Sequence, residues 1–261
     1  MKRTPICIDL STIPTQFHPY LQDTALFDSS CSPAAKVYYL DKGPGYYLKT
    51  APKGSLGKEA ALTRFFHSKG LAAEVLSYES LAADWMLTRR IPGEDCLYQP
   101  YLDDPARLCD ITAQLLRQLH ETDHAGCPVA NRTADYLATA CRNWENKRYD
   151  ASLFPDNWGY ATAEEAWAEL EKNAKFLRSD TLLHGDYCLP NIMLDNWRFT
   201  GFIDLDAGGV GDRHIDLFWG MWSLQFNLKT DRYRERFLDA YGRECINEDI
   251  FRTVAAAEVF G

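Results

Sequence analysis

None of the eight cysteines (Cys7, Cys31, Cys96, Cys109, Cys127, Cys141, Cys188 and Cys245) stands in a C-x-x-C pair. A thioredoxin-type redox site and a cysteine-rich metal site therefore both lack their basic spacing. No run comes near the ~18 consecutive apolar residues needed to span a bilayer, and no membrane partner is expected. Basic residues are outnumbered, 28 Lys and Arg against 37 Asp and Glu for a formal net charge of −9, which argues against a nucleic-acid partner. A phosphate loop of the form G-x-x-x-x-G-K-S/T is missing, and Gly43-Pro44-Gly45 is too short for a dinucleotide fingerprint. No internal repeat or low-complexity tract is visible. Met1-Lys2-Arg3-Thr4-Pro5 is not followed by an apolar stretch of signal-peptide length. Together with the scattered cysteines this gives a reduced, cytoplasmic protein as the expectation.

What is present is the composition of a soluble enzyme, 46% hydrophobic and 25% charged, over a length that suits one large domain or two lobes sharing a cleft. The acidic balance would draw in a polycationic small molecule, although it serves solubility equally well. The first third reads as strands and turns. Lys36–Leu40 and Tyr46–Thr50 flank the turn Asp41-Lys-Gly-Pro-Gly45, which predicts a hairpin. Gly57–Phe66 follows as a helix, with Leu62, Phe65 and Phe66 on one face. Val75–Tyr78 and Asp84–Arg89 read as two more strands. From Asp104 onward the texture is helical: Pro105–Leu119 carries Leu108, Ile111, Leu115 and Leu119 along one stripe, and Ala163–Arg178 and Arg232–Tyr241 also read as helices. The predicted class is α+β, with an N-terminal lobe over residues 1–90 and a C-terminal lobe over 91–261, and the seam between them as the expected binding cleft.

The chemistry is concentrated in Leu182–Leu194 and the strand after it. His184-Gly-Asp-Tyr-Cys-Leu-Pro-Asn191 has the form H-G-D-x-x-x-x-N, and Phe199–Leu205 is a short apolar strand that ends in Asp204. Phosphoryl transfer needs a carboxylate to orient the acceptor hydroxyl and take its proton, and oxygen ligands for Mg²⁺. In kinase-type loops a base Asp and a metal-binding Asn are separated by four residues, with a second metal-binding Asp on a following strand. Asp186, Asn191 and Asp204 have that order. Lys49, near the end of the second hairpin strand, is a candidate cation for the nucleotide phosphates, and Glu59 on the next helix is its candidate partner. His120 and His124, four residues apart, read as a helix end rather than a metal pair. His214 near Asp216 has no nucleophile-elbow serine to complete a hydrolase triad.

On these residues the chain resembles the aminoglycoside 3′-phosphotransferases, within the wider group of antibiotic and choline-type kinases. His184–Met193 is similar to that family's catalytic loop, and Arg198–Asp204, Gly211–Leu217, Ser32–Tyr38 and Leu119-His120 extend the likeness. The resemblance implies a protein-kinase-like two-lobe fold: a small antiparallel sheet with one helix, then a larger, mainly helical lobe. It implies transfer of the γ-phosphoryl group of ATP, with Mg²⁺, to an aminoglycoside hydroxyl, the 3′-hydroxyl being the expected acceptor, and hence antibiotic resistance. Asp186 would be the base, and Asn191 and Asp204 the Mg²⁺ ligands. Lys49 and Ser32 would meet the phosphates, with Glu59 holding Lys49. Tyr47 would stack on adenine, and Thr88, Arg89 and Ile91 would belong to the hinge whose backbone meets the adenine edge. Asp216 would brace the catalytic loop. Glu258, Asp156, Glu164 and Glu165 are the candidate acids for a cationic substrate. Ala257 stands where relatives carry Asp, and Trp222-Ser223-Leu224 where one branch has Arg-Asp-Ile, which removes a substrate carboxylate. A monomer or weak dimer is expected. Two other readings stay open, a kinase of another small alcohol (choline, homoserine or a macrolide) and a nucleotide-binding pseudokinase.

Overall fold

The hairpin around residues 41–45 lies at the centre of a six-stranded antiparallel sheet. In the computed structural model, which describes residues 3–149 and 160–261, its strands along the chain are β1 (Thr4–Pro5), β2 (Ala25–Asp28), β3 (Lys36–Asp41), β4 (Tyr46–Pro52), β5 (Val75–Ser80) and β6 (Ala83–Arg89). They are hydrogen-bonded in the order β1-β2-β3-β4-β6-β5. Strand alternation decides what each face does. Leu40, Leu48, Trp85 and Leu87 turn one way and pack with Ile13, Phe17 and Leu21, the last at the end of α1 (His18–Leu21). Ala51 and Met86 turn the other way, against Leu56 and Ala60 at the start of α2 (Gly57–Ser68). Lys49 shares its parity with Ala51, so the strand aims it at the helix side.

The chain divides into two compact units, Met1–Cys96 with Pro190–Asp206, and Leu97–Leu189 with Ala207–Gly261. The first unit ends its first pass with β7 (Glu94–Asp95). The second opens with α3 (Gln99–Leu102), α4 (Pro105–His120), α5 (Arg132–Glu145), α6 (Ala163–Asn173) and β8 (Thr181–Leu183). The chain then returns to the first unit as β9 (Ile192–Asp195) and β10 (Arg198–Phe202), which complete a three-stranded sheet in the order β10-β9-β7. Gly93 makes that pairing possible: its φ is +92°, and a Cβ there would stand 2.1 Å from the Leu194 carbonyl oxygen. The last pass through the second unit is β11 (Gly209–Gly211), paired with β8, then α7 (His214–Leu228), α8 (Arg234–Tyr241) and α9 (Glu248–Glu258).

Helix starts follow their caps. Asp104, Asn131 and Thr162 each accept a backbone N–H of the first turn of α4, α5 and α6, satisfying donors that a helix leaves open. On α4 the buried stripe is wider than its leucines alone, with Cys109, Thr112 and Ala113 also buried. The helix predicted over Ala163–Arg178 ends earlier, at Asn173, and tightens into a 3₁₀ turn over Ala174–Phe176. The reason is tertiary: the chain must become extended at Leu177 so that the Arg178 N–H can reach the Asp212 carboxylate at 2.8 Å. The predicted helix over Arg232–Tyr241 begins two residues later, at Arg234. No helix of the described residues is long and apolar enough to cross a membrane.

Candidate active site

In the first unit, Lys49 of β4 meets Glu59 of α2 head-on. Its Nζ lies 2.8 Å from each of the two Glu59 oxygens and 3.2 Å from Oδ1 of Asp204. Glu59 sits in the first turn of α2, where the helix dipole favours a negative charge. That turn is itself fixed by Asp84 of β6. The buried Asp84 carboxylate accepts from the Leu56 N–H at 2.9 Å, from the Tyr78 hydroxyl at 3.0 Å and from the Ser80 hydroxyl at 2.6 Å. Burial works against its charge, but these donors and the Gly54 N–H outweigh it and pull its pKa down to about 2.

Asp204 follows β10 with a left-handed backbone, φ +56°, a strained conformation for a non-glycine residue that is typical of functional positions. The Ile203 N–H donates to the Asn191 carbonyl at 3.1 Å, so Asn191 stands beside the residue that precedes Asp204. Burial disfavours the Lys49 ammonium, but Asp204 and Glu59 more than offset it and hold its pKa above the ordinary value. Burial raises Glu59; Lys49 counters that only in part, and Asp204 and Asp206 push the same way as burial. One ammonium thus faces two carboxylates, Glu59 and Asp204, while Glu59 also feels the charge of Asp206, an excess of negative charge that a cation would relieve. Among the described residues no three His, Cys, Asp or Glu side chains gather to hold a metal alone. Asp204, whose side chain is 56% exposed, and Asn191 fit Mg²⁺, a hard cation that takes few protein oxygens and completes its shell with phosphate.

The second unit holds the loop that bears Asp186, between β8 and the turn at Leu189. Asp216, fully buried in the first turn of α7, accepts the N–H groups of His184 and Gly185, each at 2.7 Å. Gly185 needs its φ of +84°, and a Cβ there would fall 1.9 Å from the Ala207 carbonyl oxygen. His120 at the end of α4 joins Asp216 through Nε2 at 3.3 Å and the Tyr241 hydroxyl through Nδ1 at 2.8 Å. Complete burial lowers its pKa, and a neutral ring that donates to Asp216 and accepts from Tyr241 satisfies every partner. At the far end of the loop, the Leu189 N–H donates to Ser223 Oγ at 2.9 Å. The loop is therefore held at both ends by α7.

The other sequence candidates fall as follows. Tyr47 pairs in register with Thr88, and its hydroxyl accepts from Arg3 at 3.3 Å. Arg89 turns its side chain to Glu74 at 3.0 Å; the N–H groups of Arg89 and Arg90 donate to the carbonyls of Glu74 and Gly45. Ile91 is buried. Ser32 is exposed, and its hydroxyl accepts the Ala34 N–H at 3.1 Å. Glu258 is buried, and its Oε1 accepts from the Tyr136 hydroxyl at 2.8 Å and from Trp219 Nε1 at 3.0 Å. Burial raises its pKa to about 7 against the pull of those donors and of Arg132. Glu164 and Glu165 are exposed in the first turn of α6, where the helix dipole alone accounts for them. Asp156 lies outside the described residues. Asp84, Tyr241 and Ser223 were not foreseen. Ser223 had a signal, since it stands seven residues after Asp216 on one helix face.

Fold and residues define the class of enzyme. Residues 32–253 match the family described as "Phosphotransferase enzyme family", and the chain belongs to it. Over 257 residues it is 48% identical to the probable aminoglycoside 3′-phosphotransferase of Lactococcus lactis subsp. lactis (strain IL1403), covering 97% of each chain. It is 28% identical over 222 residues to the aminoglycoside 3′-phosphotransferase of Niallia circulans, covering 83% of this chain and 84% of that one. Among solved structures it resembles an aminoglycoside-3′-phosphotransferase of type VIII, with a TM-score of 0.72 at 23% identity, over 95% of this chain and 100% of that one. It also resembles aminoglycoside phosphotransferase APH(3″)-Id from Streptomyces rimosus, with a TM-score of 0.73 at 21% identity, over 97% and 99% of the two chains. These likenesses establish the α+β, protein-kinase-like fold.

Proposed function

We propose that this phosphotransferase moves the γ-phosphoryl group of ATP to the 3′-hydroxyl of an aminoglycoside, and so confers resistance to that antibiotic. The observation that carries the reading is the fork of Lys49 on Glu59 with Asp204 at 3.2 Å, an arrangement suited to polyphosphate and a divalent cation. The names of the relatives support the acceptor class. On this reading Lys49 faces the α- and β-phosphates, Ser32 covers them, and Tyr47 stacks on adenine. The carbonyls of Thr88 and Arg89 and the backbone of Ile91 meet the adenine edge. Asn191 and Asp204 would hold Mg²⁺, which would neutralise charge on the phosphates. Asp186 orients the acceptor hydroxyl and takes its proton. Glu258 belongs to the acceptor side, where an ammonium group favours its ionised form, while the exposed Glu164 and Glu165 supply a field that attracts a polycation.

The test is ADP release by the protein with Mg²⁺-ATP over a panel of aminoglycosides, a 3′-deoxy analogue, choline, homoserine and a macrolide. Turnover with 3′-hydroxylated aminoglycosides and none with the 3′-deoxy compound is the expected result. Turnover with choline, homoserine or the macrolide alone would move the substrate elsewhere. ATP binding without any phosphorylated product would leave a pseudokinase.

A further inference from the structure

We propose that a cavity of the second unit, none of whose lining residues belongs to the candidate active site, binds a phosphate group, free or carried on a small organic molecule. The cavity measures ≈ 760 Å³, within the range of about 300–1,000 Å³ that small-molecule sites occupy. Its walls are the C-terminal end of α6 with the 3₁₀ turn after it, the approach to β8, and the starts of α7 and α9. Two helices that begin at one cavity place the positive ends of two dipoles there.

Four cations line it, Lys172, Arg178, Arg213 and Arg252, against four acids, Glu169, Asp180, Asp212 and Asp249. Three of the acids are engaged. Asp212 accepts from the His214 ring at 2.6 Å and from the Arg178 N–H at 2.8 Å. Glu169 accepts the Asn173 amide at 2.7 Å, and Asp180 the Thr181 hydroxyl at 3.0 Å. Asp249 is exposed in the first turn of α9, where the helix dipole accounts for it. The cations are not engaged in this way. Among the described residues Lys172, Arg213 and Arg252 form no ion pair, and Arg178 approaches Asp180 only to 3.9 Å. Arg213 carries the argument. It is half-buried, and a charge withdrawn from water without a counter-charge is costly. Its Nη1 donates to the Tyr241 hydroxyl at 3.5 Å and its Nη2 to the Thr181 hydroxyl at 3.4 Å, two neutral acceptors at long range. A guanidinium has five N–H donors, so three remain, in a planar fork that fits phosphate oxygens. Tyr241 also donates to the His120 ring at 2.8 Å, so the same contact seats Arg213 against the residues that brace the catalytic loop.

Calorimetric titration of the whole chain with inorganic phosphate, and separately with glycerol 3-phosphate, tests this without nucleotide and at constant ionic strength. Lys49→Ala removes the cation read as meeting the nucleotide phosphates, and Arg213→Gln the half-buried one in the cavity. A saturable site is expected in wild type and in Lys49→Ala. In Arg213→Gln it weakens about tenfold, as for the loss of one charge-assisted hydrogen bond. The double variant Lys172→Gln with Arg252→Gln changes only exposed side chains and weakens the site about threefold, which covers the case in which Arg213→Gln does not fold. Tighter binding of the ester than of inorganic phosphate would mark an organic phosphate as the ligand, and equal or weaker binding the free ion. No saturable binding to wild type, or a site that the folded cavity variants leave at full strength, overturns the proposal. If Lys49→Ala abolishes that unaffected site, the phosphate lies at the Lys49 cluster instead.

Discussion

The cluster around Lys49 and the support beneath Asp186 are built on different plans. In the first unit the contacts run from side chain to side chain: an ammonium on two carboxylates, with Asp204 more than half exposed. In the second they run from side chain to backbone. Asp216 and Ser223, both sealed from solvent, accept three main-chain N–H groups of one loop. The exposed carboxylate of Asp204 can rearrange when phosphates and a cation arrive, because water and ions screen what is lost. Buried acceptors of backbone donors cannot, because each donor left alone costs its full desolvation. The first region is suited to binding a variable charge, the second to holding one carboxylate still.

Breaking the second region should have the larger consequences. Asp216→Asn sets an amide against two backbone N–H groups and removes the charge that His120 faces. A fall in kcat of about 10³, with a stability loss of about 3 kcal/mol, is expected from the buried donors left unpaired. Chemical denaturation and initial rates read both, and a variant within twofold of wild type in each would refute the brace.

Glu258 sharpens the same region through pH. Its pKa rises on folding from the ordinary 4.5 to about 7, so between those values the native state binds more protons and stability falls as pH climbs. The deficit, about 3 kcal/mol, is complete above pH 7 and absent below pH 4.5. Glu258→Gln keeps an oxygen for Tyr136 and Trp219 and has no charge to bury. It should match wild type below pH 4.5 and exceed it at pH 8 in thermal unfolding. A difference that does not change with pH would contradict this origin.

In the first region, Lys49→Ala leaves Glu59 and Asp204 facing each other without a cation. A drop of about 10² in kcat/KM for ATP is expected, with the fold intact; fluorescence or calorimetric ATP titration beside the kinetics will show whether binding or turnover carries it. The smallest effect falls to Asp84→Asn, which weakens the seat of α2 and costs about 2 kcal/mol of stability. Its measurement is a denaturation curve at neutral pH. Wild-type stability in this variant would mean that Ser80, Tyr78 and Leu56 find other partners.

The same contrast explains what the sequence could tell. The loop from His184 to Asn191 and the placement of Asp204 are local patterns with fixed spacing, and the central hairpin announces itself by its turn residues. Asp84 could not be read in this way: its value lies in Leu56, twenty-eight positions away, and in the sequence it is only one more acid in a strand. Tyr241 meets His120 across 121 positions, and no periodicity encodes such a pair. The helix α5 was overlooked although Asn131 caps it, because its buried residues are Thr133, Tyr136 and Ala140, a weak apolar stripe. β1 and β2 are too short to alternate. At Trp222–Leu224 the sequence shows only that a carboxylate of relatives is missing; that Ser223 turns inward to the Leu189 N–H is fixed by helix phase and tertiary packing.

The central claim, that Asp186 is the group that takes the proton in phosphoryl transfer, is tested most directly by Asp186→Asn beside wild type, measuring ATP affinity and aminoglycoside turnover in the same samples. A loss of about 10³ in kcat, with ATP affinity unchanged, is the predicted result. Near wild-type turnover in the variant would contradict it.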